Sequence, residues 1–109
     1  MTQGMVVVTR NGKVEVKVVV GSDGYNAGKM AAEIHRMRND LHWSAKHIRA
    51  VALEVGFGDE ENLVVMTRHE VLGPKGHELH PRYFDTFKDP DFNPRWDRGT
   101  VEHLIKVEL

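Results

Sequence analysis

The stretch Met5-Val6-Val7-Val8-Thr9-Arg10-Asn11-Gly12-Lys13-Val14-Glu15-Val16-Lys17-Val18-Val19-Val20 decides the fold. Asn-Gly between two β-branched runs is a strong short hairpin signal, because a type I′ turn needs positive φ at both central positions. Val14, Val16 and Val18 alternate with Glu15, Lys17 and Val19. That period of two predicts one buried face and one mostly wet face.

Downstream of the hairpin, Gly21-Ser22-Asp23-Gly24-Tyr25-Asn26 breaks the strand. Ala27, Met30, Ala31, Ile34, Met37 and Leu41 then recur at spacings of three and four, which predicts an amphipathic helix over about 27–40. Asn26 is its expected N-cap. Lys29, Glu33, Arg36 and Asp40 alternate in sign on the other side, as on a solvated helix face. Ser44 suits the N-cap of a second, shorter helix, with Trp43 before it placed to pack on Ile48 as a hydrophobic staple. Ile48, Val51, Ala52 and Val55 continue that helix, and Gly56 fits the C′ position. Its β-branched content keeps a strand reading open; the helix is preferred.

After a loop at 56–62, the pattern predicts a strand from Leu63 to Leu72 and a turn at Gly73-Pro74-Lys75-Gly76. A returning strand from His77 to Phe87 follows. Prolines and aspartates make 88–99 a long irregular loop before a last strand, Val101 to Leu109. The order ββααβββ implies a single α+β domain over 1–109. Its sheet is mostly antiparallel, built from the N-terminal hairpin and C-terminal strands, with two helices packed on one face.

Composition sets the outer limits. A chain of 109 residues, 40% hydrophobic and 28% charged, matches one ordinary globular domain and excludes disordered, collagen-like and multidomain classes. With no cysteine there are no disulfides, thiolate zinc sites or cysteine nucleophiles. No apolar run approaches the roughly 20 residues of a membrane helix, and the start lacks the pattern of a secretory signal. The expectation is a cytoplasmic protein with no membrane partner. The net charge of −1 is unevenly placed: residues 1–54 carry +3 and residues 55–109 carry −4. That split could steer self-association, and it falls short of the basic footprint of a nucleic-acid binder.

Several constellations bear on chemistry. The segment 21–29 lies where a phosphate-binding loop would, between a valine-rich strand and a helix. Yet Gly24 and Gly28 are separated by three residues rather than four, and Met30 stands where the Mg²⁺-binding hydroxyl belongs. A looser anion or nucleotide site remains open there, with Asp23, Tyr25, Asn26 and Lys29 at its rim. Of seven histidines, His77 and His80 with His69 and Glu70 form the best local cluster, but strand geometry would splay His77 and His80 apart. No metal and no cofactor are expected. Ser22 and Ser44 lack a nucleophile-elbow context, and Asp85, Asp89, Asp91 and Asp97 read as loop aspartates. In the loop 88–99, Phe92, Arg95, Trp96 and Arg98 combine the residue types enriched at interface hot spots.

Lys17-Val18-Val19-Val20-Gly21-Ser22-Asp23-Gly24-Tyr25-Asn26-Ala27-Gly28, followed by Ala32-Glu33-Ile34, resembles a strand–Asp-Gly-Tyr–x–x–Gly–helix pattern of small uncharacterised bacteriophage and prophage proteins. Tyr83-Phe84-Asp85-Thr86-Phe87 and Leu104-Ile105-Lys106-Val107 are loosely similar to strands of that group, while Asn26 replaces its usual proline. The resemblance implies a viral or mobile-element accessory protein and no mechanism. The resulting expectation is a non-enzymatic interaction module that forms homo-oligomers. Its contact face would be an apolar sheet face around Val19, Phe84 and Leu104 or Ile105. Two alternatives stay open: an anionic-ligand or nucleotide-binding protein (at most a weak hydrolase) using 21–29, and an inhibitor of a host protein acting through the acidic stretch 85–97.

Overall fold

Strand β1 (Gly4–Arg10) and strand β2 (Lys13–Val20) form the hairpin, and Asn11 and Gly12 at its tip adopt φ of 53° and 77°. Both central turn residues thus take the left-handed conformation that an Asn-Gly turn supplies at least strain. The computed structural model describes residues 2–40, 43–72, 86–93 and 101–109. Beyond the hairpin come a 3-10 turn (Gly24–Asn26), helix α1 (Ala27–Arg36), helix α2 (Ala45–Glu54), strand β3 (Leu63–Thr67), helix α3 (Arg68–Leu72) and strand β4 (His103–Glu108). The strands lie in the order β3-β2-β1-β4. Both hairpin strands are therefore central. β2 pairs antiparallel with β1 and β3, and β4 runs parallel to β1. The α+β class, the mostly antiparallel sheet and the helices packed on it are as expected; among the described strands β1 and β4 form the one parallel pair.

The hairpin departs from its alternation at one point. The register steps from Val8↔Val16 to Thr9↔Val14, so Glu15 is an extra, unpaired residue and β2 carries a bulge. The bulge turns Val14 onto the face opposite Val16. Val6, Val8, Val16, Val18 and Val20 point into one apolar cluster with Met30, Ile34, Ile48 and Phe57; Met5, Val7, Val14, Val19, Met66 and Phe87 form a second on the other face. Neither face is wet: Val19 is fully buried, so the expected open apolar face around it does not exist. Each such valine contributes about 1.5–3 kcal/mol of burial relative to an exposed chain.

α1 presents Ala27, Met30, Ala31 and Ile34 to the first cluster and ends four residues earlier than its periodicity suggests, with Met37 at the C-cap. α2 begins where expected. Ser44 accepts a hydrogen bond from the His47 amide, and Trp43 packs on the first cluster with its ring centroid 3.8 Å from that of His47. At its other end the Phe57 amide donates to the Ala52 carbonyl and the Gly56 amide to the Leu53 carbonyl, with Gly56 at φ 78°. This Schellman pattern drops Phe57 into the core.

The strand expected over 63–72 splits. Thr67-Arg68-His69-Glu70 carries the Thr-x-x-Glu signature of a helix start, and the Thr67 hydroxyl lies 2.6 Å from the Glu70 carboxylate. The chain therefore turns into α3 after β3. Most of the strand expected over 77–87 falls outside the described residues; its last two residues belong to a helical turn at 86–88.

The Gly-rich turn is seated by backbone contact. The Gly24 amide donates to the Thr2 carbonyl at 2.9 Å, and a Cβ on Gly24 would lie 2.4–2.5 Å from Gln3 and Gly4 backbone atoms. By contrast, a Cβ on Gly28, exposed on α1, would meet nothing within 4 Å. Opposite outcomes follow for one chemical change. Gly24→Ala should destabilise by about 2 kcal/mol or more, since backbone rather than a side-chain tip must yield. Gly28→Ala should stabilise by about 0.5–1 kcal/mol through restriction of the unfolded chain and better helix propensity. Urea unfolding of both variants against the parent chain measures the two signs.

Candidate functional site

Three surfaces bear on function: the Gly-rich turn, the outer edge of β4, and the segment 86–93 that crosses the second sheet face. In the turn, Asp23 adopts φ 61° and caps the 3-10 turn without a side-chain hydrogen bond. Tyr25 is 62% exposed, and Lys29 is exposed in the first turn of α1. Asn26 is drawn elsewhere: its side-chain amide donates to the Gly56 carbonyl at 2.8 Å, tying the start of α1 to the end of α2. Asn62 donates to the Ser22 hydroxyl next to it. Asn26 and Ser22 thus join separate loops.

The start of α2 is similarly occupied by the chain itself. Ser44, Lys46, His47 and Ala50 line a shallow depression there. The Ala45 amide donates to the Glu70 carboxylate at 2.9 Å, so the positive end of the helix dipole already faces an anion. Among the described residues, no three His, Asp or Glu side chains gather in a way that could hold a metal ion. His77 and His80 lie outside the described residues. No described helix is long and apolar enough to cross a membrane.

The two sheet edges differ. At β3 the Leu63 amide donates to the Asp59 carbonyl, and Arg49 donates to the Leu63 carbonyl at 2.7 Å and to that of Glu60. That edge is short, runs directly into α3 and is partly covered. At β4 the His103 amide donates to Gln3 and the Leu109 amide to Thr9, so odd-numbered residues bond to β1. The amides and carbonyls of Leu104, Lys106 and Glu108 consequently point outward, and no other described residue bonds to them. Leu104 is 40% exposed; Ile105 and Leu109, on the helix-covered face, are half-buried against the first cluster. The sequence left open whether Leu104 or Ile105 joins an apolar face; strand alternation puts Leu104 on the face of Met5 and Ile105 on the face of Val6, both at this edge. The signal that could have found the edge is the charge alternation of Lys106 and Glu108 flanking a single valine.

The second sheet face is closed by 86–93. Lys17, on that face of β2 and fully buried, donates from Nζ to the Asp89 carbonyl at 3.0 Å and the Phe92 carbonyl at 2.5 Å. Arg68 donates to the carbonyls of Val14 (2.7 Å) and Phe87 (3.1 Å), and its guanidinium lies 5.4 Å from the centre of the Phe87 ring. Lys106 and Asp91 form an ion pair at 2.7 Å, and the hydrogen bond from Lys106 holds the Asp91 carboxyl below its ordinary range. Phe92, expected at a hot spot, is half-buried with its carbonyl on Lys17; Arg95, Trp96 and Arg98 lie outside the described residues. Three cations thus fasten this strap, a pattern that the sequence reading missed because it put Lys17 on a wet face.

Burial pulls the Lys17 ammonium down to about 8 from the ordinary 10.5, against the opposing pull of Asp89 and Asp91. Between these two values the unfolded chain binds more protons than the folded one, so this group makes stability rise with pH across that window. Below about pH 8 its contribution is constant. Lys17→Met keeps a stem of similar length and removes the titration. The stability of the parent chain minus that of the variant should therefore increase from pH 8 to 10.5 in urea unfolding, and a pH-independent difference would contradict the assignment.

Compared with protein-family models, with curated proteins and with solved structures, the chain matches none.

Proposed function

We propose that the chain is a small non-enzymatic interaction module, an accessory protein of phage or prophage type acting in the bacterial cytoplasm. Its docking element is the outer edge of β4, which accepts an extended strand from a protein partner. The observation that carries this reading is the row of outward amides and carbonyls at Leu104, Lys106 and Glu108. A strand edge of this kind is a ready template for main-chain pairing, with affinity from backbone hydrogen bonds and selectivity from alternate side chains. The half-buried Ile105 and Leu109 offer apolar contact on one face, and Lys106 and Glu108 offer charge on the other. The Gly-rich turn supports a ligand reading less well, because Asn26 at its rim is held by Gly56.

Proline at position 106 tests the edge directly. The Lys106 amide makes no bond to β1, so Lys106→Pro removes an outward donor and leaves the inner ladder intact, and it also removes the exposed ion pair with Asp91, which contributes little to stability. The variant should remain folded, with Tm lower by about 5 °C or less, the equivalent of about 1 kcal/mol in a domain of this size. In gel filtration of lysate from the expressing bacterium, the parent chain should elute in a complex larger than its monomer and the folded variant as monomer. A parent chain that elutes as monomer, or a variant that stays in the complex, overturns the proposal.

A further inference from the structure

Building on the strand-pairing reading, we infer that the strand received at the β4 edge is β4 of a second copy of this chain, antiparallel about a two-fold axis at Val107. A closed two-fold contact between identical edges requires antiparallel strands, so each register is defined by the residue that faces its own copy. Side chains of the three outward-bonding positions, Leu104, Lys106 and Glu108, share the strap-covered face with Met5, Val7 and Thr9; Ile105 and Val107 share the helix-covered face with Val6 and Val8.

Charge separates the available registers. Centring on Lys106 pairs the whole strand and sets Lys106 directly against its own copy, which like-charge repulsion disfavours. Centring on Ile105 pairs Leu104 with Lys106 and brings Glu102 opposite Glu108. Centring on Leu104 pairs Glu102 with Lys106, but the chain bends at Glu102 before β4 starts at His103, whereas Leu109 just past the other end is still bonded to Thr9 of β1. Centring on Val107 overlaps residues 105–109. It makes both hydrogen-bonded pairs Lys106 against Glu108 and sets Ile105 against Leu109 and Val107 against Val107 on the face with the first cluster. The existing partners do not obstruct this arrangement: Lys106 contacts Asp91 while half-exposed, and Glu108 contacts Thr9 on the neighbouring strand while exposed. The pairing extends two four-stranded sheets into one of eight strands, with the first clusters adjoining across the axis. Leu104 lies just beyond the paired segment.

Light scattering and sedimentation of the purified full chain over a dilution series read the association. The parent chain should show a monomer–dimer equilibrium. Lys106→Glu sets a carboxylate against Glu108 across the axis, and Glu108→Lys sets an ammonium against Lys106, so each should weaken dimerisation about tenfold, the contact occurring twice per dimer. A 1:1 mixture of the two variants should recover the dimer as a heterodimer, since positions 106 and 108 are both acidic in one chain and both basic in the other, and each acid then meets a base. The contact with Asp91 is the same alone and in the mixture, so recovery reports the pairing between copies. Amide exchange adds the register: Lys106 and Glu108 should be protected at high concentration while Leu104 stays fast. A strictly monomeric chain, a dimer indifferent to both reversals, a mixture no better than its components, or equal protection of Leu104 overturns the inference. A purified monomer whose lysate complex is still lost in Lys106→Pro removes the second copy and leaves strand pairing with another protein standing.

Discussion

The constraint on which this structure turns is that its two central strands are almost wholly apolar on both faces. β1 and β2 carry eight valines between them, all with essentially no exposed surface on one side of the sheet or the other. A hairpin of that composition cannot stand with one face in water, and two layers of cover are required. α1 and α2 provide one layer. The strap 86–93, with α3, provides the other. The parallel pairing of β4 with β1 follows from the same need, because a parallel partner can be reached only after a long crossover, and the chain between β1 and β4 contains the covering elements.

Lys17 is the exception that organises the second face. A buried ammonium must find acceptors, and main-chain carbonyls of Asp89 and Phe92 are brought to it. A strap of eight described residues gains a fixed position in this way, since its carbonyls are satisfied by a donor rooted in the central strand. Arg68 repeats the device from α3 by bonding at once to Val14 of β2 and Phe87 of the strap. Both cations reach backbone oxygen, so their role is to hold chain segments in place.

What the sequence disclosed was the local part of this design. The Asn11-Gly12 turn, the stripe from Ala27 to Ile34, the Ser44 cap and Gly56 at C′ each depend on neighbours within a few residues, and each is found in the structure. Non-local features were hidden. One unpaired residue, Glu15, reverses which face Val14 occupies, and no periodicity in the strand itself announces it. Lys17 looked like a solvent residue because its acceptors lie 72 and 75 positions away. The turn into α3 was legible in Thr67-x-x-Glu70 but was outweighed by the β-branched run before it. Of the residues expected to bind a ligand, Asn26 serves the fold, while Tyr25 and Lys29 stand exposed; the β4 edge emerges only from strand order, which no sequence window contains.

The distribution of polar groups then argues for where function resides. Asn26, Arg49, Ser44, Glu70, Lys17 and Arg68 would be obvious candidates for chemistry, and each is engaged with backbone or capping groups of its own chain. A catalytic group used as an internal tie would have to break that tie to meet a substrate, leaving a carbonyl or amide unpaired at a cost of about 1–3 kcal/mol. Among the described residues, the outward backbone of β4 carries no such obligation. In the proposed pairing its charges would also keep such an edge from indiscriminate association: Lys106 would meet its own copy in the longest self-register, which disfavours the most extensive alignment relative to a shorter one. An edge selective in this way would differ from one that is merely unprotected; the physical ground for the proposal is the outward backbone at Leu104, Lys106 and Glu108, to which no other described residue bonds.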